Sequence, residues 1–513
     1  MKKFILIIAV AFAMMASVNL KAFNDADTDG WLDISTYTDL WTLANNSMYW
    51  SQNFELVSNI LIPNGYNFPT IGNVNNPFTG NFRGMDPLWD IDKFTIYNLN
   101  MVHYNDNCVG LFGVNFGSIA NVKMCKFFVY GFDQVGGICG LNGGTITGCE
   151  MYFENYDLSP SIVAGNHYVG GMVGSNEGTF TNCKPSYGRL IAYKYAIVYG
   201  DSAVGGYLGS SAVNYEYTVS DNEVWNVEVG VGTGMCGGFV GINEGRMSRC
   251  YVGGDSSYVS AGSATWVGGF AGMNKDTIEL SCSKAWVSGY NCVAGFVASN
   301  FGGIKNCYST GNVYSSVGDS TASFVGVNQP TGTVEYCFST ASTVTPPLAG
   351  AFIRQNDFGL CGYCVHDEEI CDNPYYGNGS GWTTSMLKNS TWPYQSWDFT
   401  NIWEFNAQNN GYPSFRLVYY YKQNLADNSN SIEIYPNPVR DISTVEINKP
   451  DKGFTTISIY DITGKIIETL YSGYLNTDEY TINFDGSEYS TGTYYMVVES
   501  RDNKTTKPIF VTH

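Results

Sequence analysis

The chain has 513 residues, with 58 glycines, 38 tyrosines, 29 phenylalanines and only 14% charged side chains. That length holds several domains, and the balance suits a β-rich globular or solenoid chain rather than a disordered one. A formal charge of −20 repels phosphate backbones and leaves no basic stripe, which argues against nucleic acid as a partner.

Residues 1–22 begin with Lys2 and Lys3, continue through an apolar run from Phe4 to Ala16 and end at Ala22. This pattern predicts a cleaved secretory signal rather than a membrane span. No later apolar run approaches ~20 residues, so no transmembrane helix is expected in the mature chain. Immediately after it, "DADTDGWLD" places Asp25, Asp27, Asp29 and Asp33 around Gly30, a spacing whose oxygens could wrap calcium. Position twelve of such a loop is Thr36 rather than a bidentate glutamate. The competing expectation is therefore a solvated acidic arm.

From Cys108 the sequence repeats. "VGGICGLNGGTITGC" starts at Val135, "VGGMVGSNEGTFTNC" at Val169, "CGGFVGINEGRMSRC" at Cys236 and "VAGFVASNFGGIKNC" at Val293. Weaker copies start at Cys108, Val204, Val267 and Thr321, giving start-to-start spacings of 27, 34, 35, 32, 31, 26 and 28 residues. Such a period means stacked units, each too small to bury a core alone.

Within a unit the residues before and after an Asn-x-Gly turn alternate as short strands, and the 10 to 20 residues before the next unit leave room for a third. The fold class predicted is all-β: a parallel β-helix, right-handed by the general crossover preference, with three strands per turn. Eight rungs spaced by roughly 4.8 Å give a rod of about 40 Å, whose open sheet edges require end caps. An asparagine recurs seven residues into nearly every unit, as Asn142, Asn176, Asn243 and Asn300 among others, with Ser211 in the fourth copy. Asparagine tolerates left-handed backbone at a corner, and its amide can hydrogen-bond from coil to coil. Cys149, Cys183, Cys250 and Cys307 each fall fourteen residues into a unit. They are expected to form an inward file of small apolar side chains, with disulfide pairing as the alternative and metal ligation less favoured. Paired glycines such as Gly136 with Gly137 point to close approach between coils.

The unit [VC]-G-G-[FMI]-x-G-x-N-x-G-x-[IF]-x-x-C resembles the GLUG-motif repeat of secreted bacterial β-helical surface proteins. The resemblance covers about residues 29–420, since the segment from "DISTYTDLW" to "FTIYNLNM" looks like that family's N-terminal cap and first coils, and Gly381 to Leu417 like its closing segment. It implies the division 1–22 signal peptide, 23–104 cap and first coils, 105–345 repeat helix and 346–422 terminal coils and cap.

After a polar linker, 423–431, residues 432–513 alternate in period two between turns, as in a small immunoglobulin-like β-sandwich. Tyr435, Pro436, Asn437 and Pro438, then "IYDITGK" containing Gly464, then "GTYYMVV" containing Gly492 and Tyr494, resemble the type A sorting domain of the type IX secretion system. The resemblance implies passage of the inner membrane by the signal peptide, recognition of this tail by the type IX machinery, and delivery to the cell exterior, attached to the surface or released.

Catalysis on a β-helix needs carboxylates, or a base with a metal, converging on one face of adjacent coils. Asp133, Glu154, Asp201, Glu228 and Asp255 fall at unrelated phases, and the four histidines, His103, His167, His366 and His513, are isolated. No G-x-S-x-G, H-E-x-x-H or Walker-type segment occurs. "CGYCVHDEEIC" offers Cys361, Cys364, His366 and Cys371 for a loop disulfide, zinc or free thiols. Trp382, Trp392, Trp397 and Trp403 suit end-closure better than sugar stacking. Short "DSA", "DTI" and "DST" segments flag Ser202, Thr277 and Ser320 as O-glycosylation acceptors. The expectation is a non-enzymatic, surface-displayed binding or adhesion protein that takes glycans or host and matrix proteins. Alternatives are a polysaccharide lyase or hydrolase on the same scaffold, and a structural spacer.

Overall fold

The computed structural model describes residues 23–511 except 27, 85–93, 154–160, 188–195, 213–218, 226, 254–256, 263–265, 317–319, 345–348, 371–377, 390, 406–408, 417–430, 436–438, 449–452, 462–464, 476–478 and 501–503. The signal-peptide reading of residues 1–22 falls outside them. Two compact units divide at Trp397 and Asp398, so the segment expected to close the solenoid, Gly381 to Leu417, spans the division.

The first unit is a parallel β-helix. A representative coil carries five short strands, not three: Phe128–Tyr130, Asp133–Gly136, Cys139–Asn142, Thr145–Thr147 and Glu150–Phe153, numbered here as files 1 to 5. Each strand pairs in parallel with its counterparts one coil away. Three strands were expected because the apolar alternation looks continuous across "VGGICGLN". In the structure Gly137 and Ile138 turn the chain between file 2 and file 3, and Gly148 at φ +61° turns it between file 4 and file 5.

File 3 gives the register directly. Phe112, Cys139, Val173, Leu208, Val240, Ala271, Val297, Val325 and Ile353 are successive partners. Their separations reproduce the repeat spacings residue for residue, and Ile353–Asn356 adds a ninth rung. Insertions between units therefore bulge from corners without disturbing register, as stacked repeats allow.

The glycine pairs lie where files 2 and 3 press backbone to backbone. A Cβ on Gly137 would lie 2.7 Å from Gly171 O and 2.8 Å from Phe127 Cε2, and one on Gly136 2.6 Å from Met172 O. Between the sheets, Phe239, Phe270, Phe296, Phe324 and Phe352 stack with ring centroids 4.7–5.2 Å apart, all wholly buried.

At the N-terminal end lies helix α1, Tyr37–Asn45, whose Leu40, Leu43 and Ala44 are buried. Thr36, the twelfth residue of the would-be calcium loop, instead caps α1 by accepting from Asp39 N, while Asp39 accepts from Thr36 N at 2.8 Å. Such a reciprocal box satisfies amides that a helix start otherwise leaves unpaired. At the other end Ser380–Trp382 adds to the last coil. Helix α2, Thr384–Asn389, and Trp397 follow, the indole donating to Tyr363 O at 2.9 Å and lying against Phe338.

The second unit opens with a hairpin, Trp403–Phe405 against Pro413–Phe415. Seven strands follow in two antiparallel sheets. One contains Ser431–Tyr435, Ile442–Asn448 and Glu479–Asp485; the other contains Ile466–Leu475, Gly453–Tyr460, Gly492–Ser500 and Lys504–Val511. Their inner faces share Val445, Ile447, Ile457, Ile459, Phe484, Val498 and Ile509, a small immunoglobulin-like β-sandwich.

Candidate functional site

Along file 3 the asparagines form two runs of side-chain hydrogen bonds. Asn115 Nδ2 donates to Asn142 Oδ1 and Asn142 Nδ2 to Asn176 Oδ1, both at 2.8 Å. Asn243, Asn274, Asn300, Asn328 and Asn356 continue after the interruption at Ser211, with donor distances of 2.8 to 3.0 Å. These residues end extended strands, so the expected left-handed backbone is not theirs. Positive φ falls instead at Gly148, Asn182, Arg249, Asn306, Tyr336 and Tyr363, each just before a cysteine of the file.

The cysteines lie buried in the core at that corner, and hydrogen bonds add to their apolar packing. Cys149, Cys183, Cys250 and Cys307 are buried free thiols, and each donates Sγ–H to the carbonyl two residues earlier, at 3.6, 3.4, 3.4 and 3.2 Å. The file position also accepts the backbone N–H of the coil before it: Cys307 N reaches Cys337 Sγ at 3.4 Å. Where the file lacks cysteine, Asn222 Oδ1 accepts from Cys183 N at 2.9 Å and Ser281 Oγ from Cys250 N at 3.1 Å. A small side chain that both donates and accepts thus serves most of these left-handed corners, while Val122, after Asn121 at φ 56°, fills the same position in the first coil by apolar packing alone. Burial pushes the Cys250 and Cys282 thiols up to about 12 and Cys108 up to about 11, which removes the thiolate that metals and oxidants need.

The N-terminal aspartates come together as a capped turn. Asp25 accepts from the amides of Asp29 and Gly30, Asp33 from Ala26 N, and Asp29 pairs with Arg83 at 2.6 Å. Arg83 also bonds Glu55 and lies 4.0 Å over the Trp31 ring; Asp27 lies outside the described residues. A guanidinium thus sits against Asp29, one of the carboxylates offered for calcium, and no group of three or more His, Cys, Asp or Glu could hold a metal among the described residues.

In "CGYCVHDEEIC", Cys361 and Cys364 are free and Cys371 lies outside the described residues. His366 is buried in the last coil with neither ring nitrogen hydrogen-bonded. Burial lowers its pKa to about 4, against a smaller raising influence from Asp367. Ser202 and Thr277 are half-buried in strands. Asp133, Asp201 and Glu228 fall in file 2, at a corner and in file 1, and Glu154 and Asp255 lie outside the described residues.

The outward side of file 1 holds a feature not read from the sequence. Phe128 and Tyr130, Tyr199, Tyr258, Trp286 and Tyr314 alternate with buried Val129, Val198, Val259, Val287 and Val313. Phe132 and Tyr290 continue the same outward alternation beyond Gly131 and Gly289. Trp286 is 56% exposed and Tyr199 52%. In file 4 the outward positions are polar instead, as Thr145, Thr147, Thr179 and Thr181.

Of the sorting-tail motif, Pro436, Asn437, Pro438 and Gly464 lie outside the described residues. Tyr435 ends the first sandwich strand opposite Thr444. Gly492 begins a strand opposite Val511, and Tyr494 donates its hydroxyl to Ser490 O at 3.0 Å and packs edge-on against Tyr489.

No curated protein and no solved structure matches the chain. No helix among the described residues is long and apolar enough to cross a membrane. Residues 433–512 match the secretion system C-terminal sorting domain, so this β-helical chain carries the tail that type IX secretion recognises.

Proposed function

We propose that the protein is a surface-displayed binding or adhesion protein built on GLUG-type repeats, whose signal peptide and tail are both used up in export. The observation that carries this reading is the union of a sorting tail on residues 433–512 with a solenoid that shows exposed aromatic rings on one lateral sheet. Solenoids recognise partners through extended lateral surfaces, and rigid stacking prepays the cost of ordering them.

A non-catalytic role is supported by how the solenoid's charges are used. They pair off between neighbouring coils: Arg249 holds Asp221 through Nη2 at 2.8 Å, and Lys275 holds Glu244 at 2.5 Å. Such pairs fix register and leave these acids engaged rather than poised for proton transfer.

The test is a glycan and matrix-protein array probed with the mature chain, beginning at Phe23 and scored for both retention and product release. Retention without release is expected. Release of polysaccharide fragments, abolished by replacing one or two carboxylates without unfolding the chain, would sink the reading in favour of an enzyme.

A further inference from the structure

We propose that the outward face of file 1 is the recognition surface, and that its occupant is a neutral polysaccharide strand lying across the exposed rings of Tyr199, Trp286, Tyr290 and Tyr314. This rests on the binding reading above and adds a place and a ligand chemistry to it.

Register puts the rings on a lattice. Phe128, Ile162, Ile197, Glu228, Tyr258 and Trp286 make one outward column. Tyr130, Ala164, Tyr199, Gly230, Ser260, Ser288 and Tyr314 make the next, one two-residue step along the strand. Phe132 and Tyr290 begin a third. Columns are about 6.6 Å apart and rungs about 4.8 Å, both set by the backbone. Tyr258 meets Trp286 edge to face with centroids 5.6 Å apart, which holds the indole without covering it.

The chemistry of the face selects among occupants. Within the described strands of file 1 the one charged residue is Glu228, with Asp201, Lys126 and Lys284 at the flanking corners, and the whole chain carries −20. Sulfated or uronate-rich polymers and phosphate esters are therefore mismatched. An open sheet face gives no concavity to enclose a small molecule. Protein interfaces enrich arginine and methionine beside their aromatics, and this face has neither. What remains is a ligand with flat C–H faces at regular intervals and hydroxyls between them. Pyranose rings stack on indole and phenol faces, and Ser260, Ser288 and Asn166 supply polar partners in the gaps.

The test is affinity electrophoresis and pull-down of the mature chain on cellulose, xylan, mannan and chitin, with alginate and heparin as acidic polymers and matrix proteins alongside. Variants are Trp286→Ala, Tyr314→Ala, the conservative Trp286→Phe, and Phe358→Ala as a control exposed elsewhere on the solenoid. All three positions are on the surface, and melting curves verify that the variants fold. Retention by at least one neutral polymer is expected, weakened roughly tenfold by Trp286→Ala or Tyr314→Ala, largely restored in Trp286→Phe and unchanged in Phe358→Ala. Equal retention of wild type and Trp286→Ala would overturn the proposal, as would preference for the acidic polymers. Self-association lost in Trp286→Ala without polysaccharide retention would also overturn it, by assigning the face to a second copy. Retention by matrix proteins alone would remove this proposal and leave the binding reading standing. Retention by nothing would remove both.

Discussion

Asn142 donates its Nδ2 to Asn176 Oδ1 at 2.8 Å although 34 residues separate them. The bond is buried, its members are nearly inaccessible to water, and it recurs along the helix axis, so it reports register as well as contributing stability. Asn274 stands in the longer run, accepting from Asn243 and donating to Asn300. Asn274→Ala should orphan both neighbours and cost roughly 1–3 kcal/mol for each. Asn356→Ala, at the terminal and half-buried end of the run, should cost less. Urea midpoints of the two variants decide it, and equal costs would show that the ladder is incidental.

Glycine substitutions should separate close approach from mere flexibility. Gly137→Ala drives a methyl group into Gly171 O and the Phe127 ring, whereas nothing lies within 4 Å of a Cβ on Gly262. The first should lose several kcal/mol through backbone displacement, about the scale of overpacking in a rigid core. The second should be neutral or gain up to about 1 kcal/mol from a stiffer unfolded chain. Thermal melts of the two proteins side by side are sufficient.

At the corner before file 5, hydrogen bonding adds to apolar burial. Cys250→Ser keeps a group that can donate to Ser248 O and meet its neighbours, and Ser281 already occupies the equivalent place one coil on. It should cost less than Cys250→Ala, which leaves polar atoms unpaired at about 1–3 kcal/mol. In the native protein these thiols should resist a disulfide reagent at pH 8 until denaturant is added, because burial holds Cys250 near 12.

The last coil should be acid-sensitive. His366 sits near 4 in the folded chain against an ordinary value of about 6.5, so between those values the unfolded chain binds a proton that the folded chain refuses. Stability is therefore complete above pH 6.5 and falls as pH drops towards 4, by about 3 kcal/mol at most. Because solenoid stability is local, the loss should be confined to the C-terminal coils. Hydrogen exchange there, compared between wild type and His366→Leu, should show the pH slope disappear in the variant.

The coil period was legible in the sequence, since spacing between "VGG" starts is the same quantity as register between Cys139 and Val173. The strand count was not. Corners at Gly137–Ile138 and at Gly148 interrupt strands of three or four residues, too short for alternation to show where one ends. The ninth rung escaped notice because Ala349 to Ile353 lacks the glycine pair, although Asn356 keeps the ladder residue. The buried cysteine file was legible in the spacing, whereas its hydrogen bonding was not, because Asn222 and Ser281 become informative only once they are seen in the same file. The aromatic face of file 1 lies in the stretch between one cysteine and the next unit, where a buried valine recurs but the outward residues vary, and only the pairing reveals which side chains share a surface.

Export of the solenoid by its C-terminal domain is open to a direct measurement. Intact cells of a type IX-competent host producing either the full chain or a version ending at residue 431 would be treated with external protease and fractionated, with the protein followed by an antibody to the solenoid. The full chain should be found outside, either protease-sensitive on the surface or in the medium, and the version lacking the sorting domain should accumulate in the periplasm. The same compartment for both would contradict the assignment of residues 433–512 as the address, and with it the reading of the solenoid as a displayed surface.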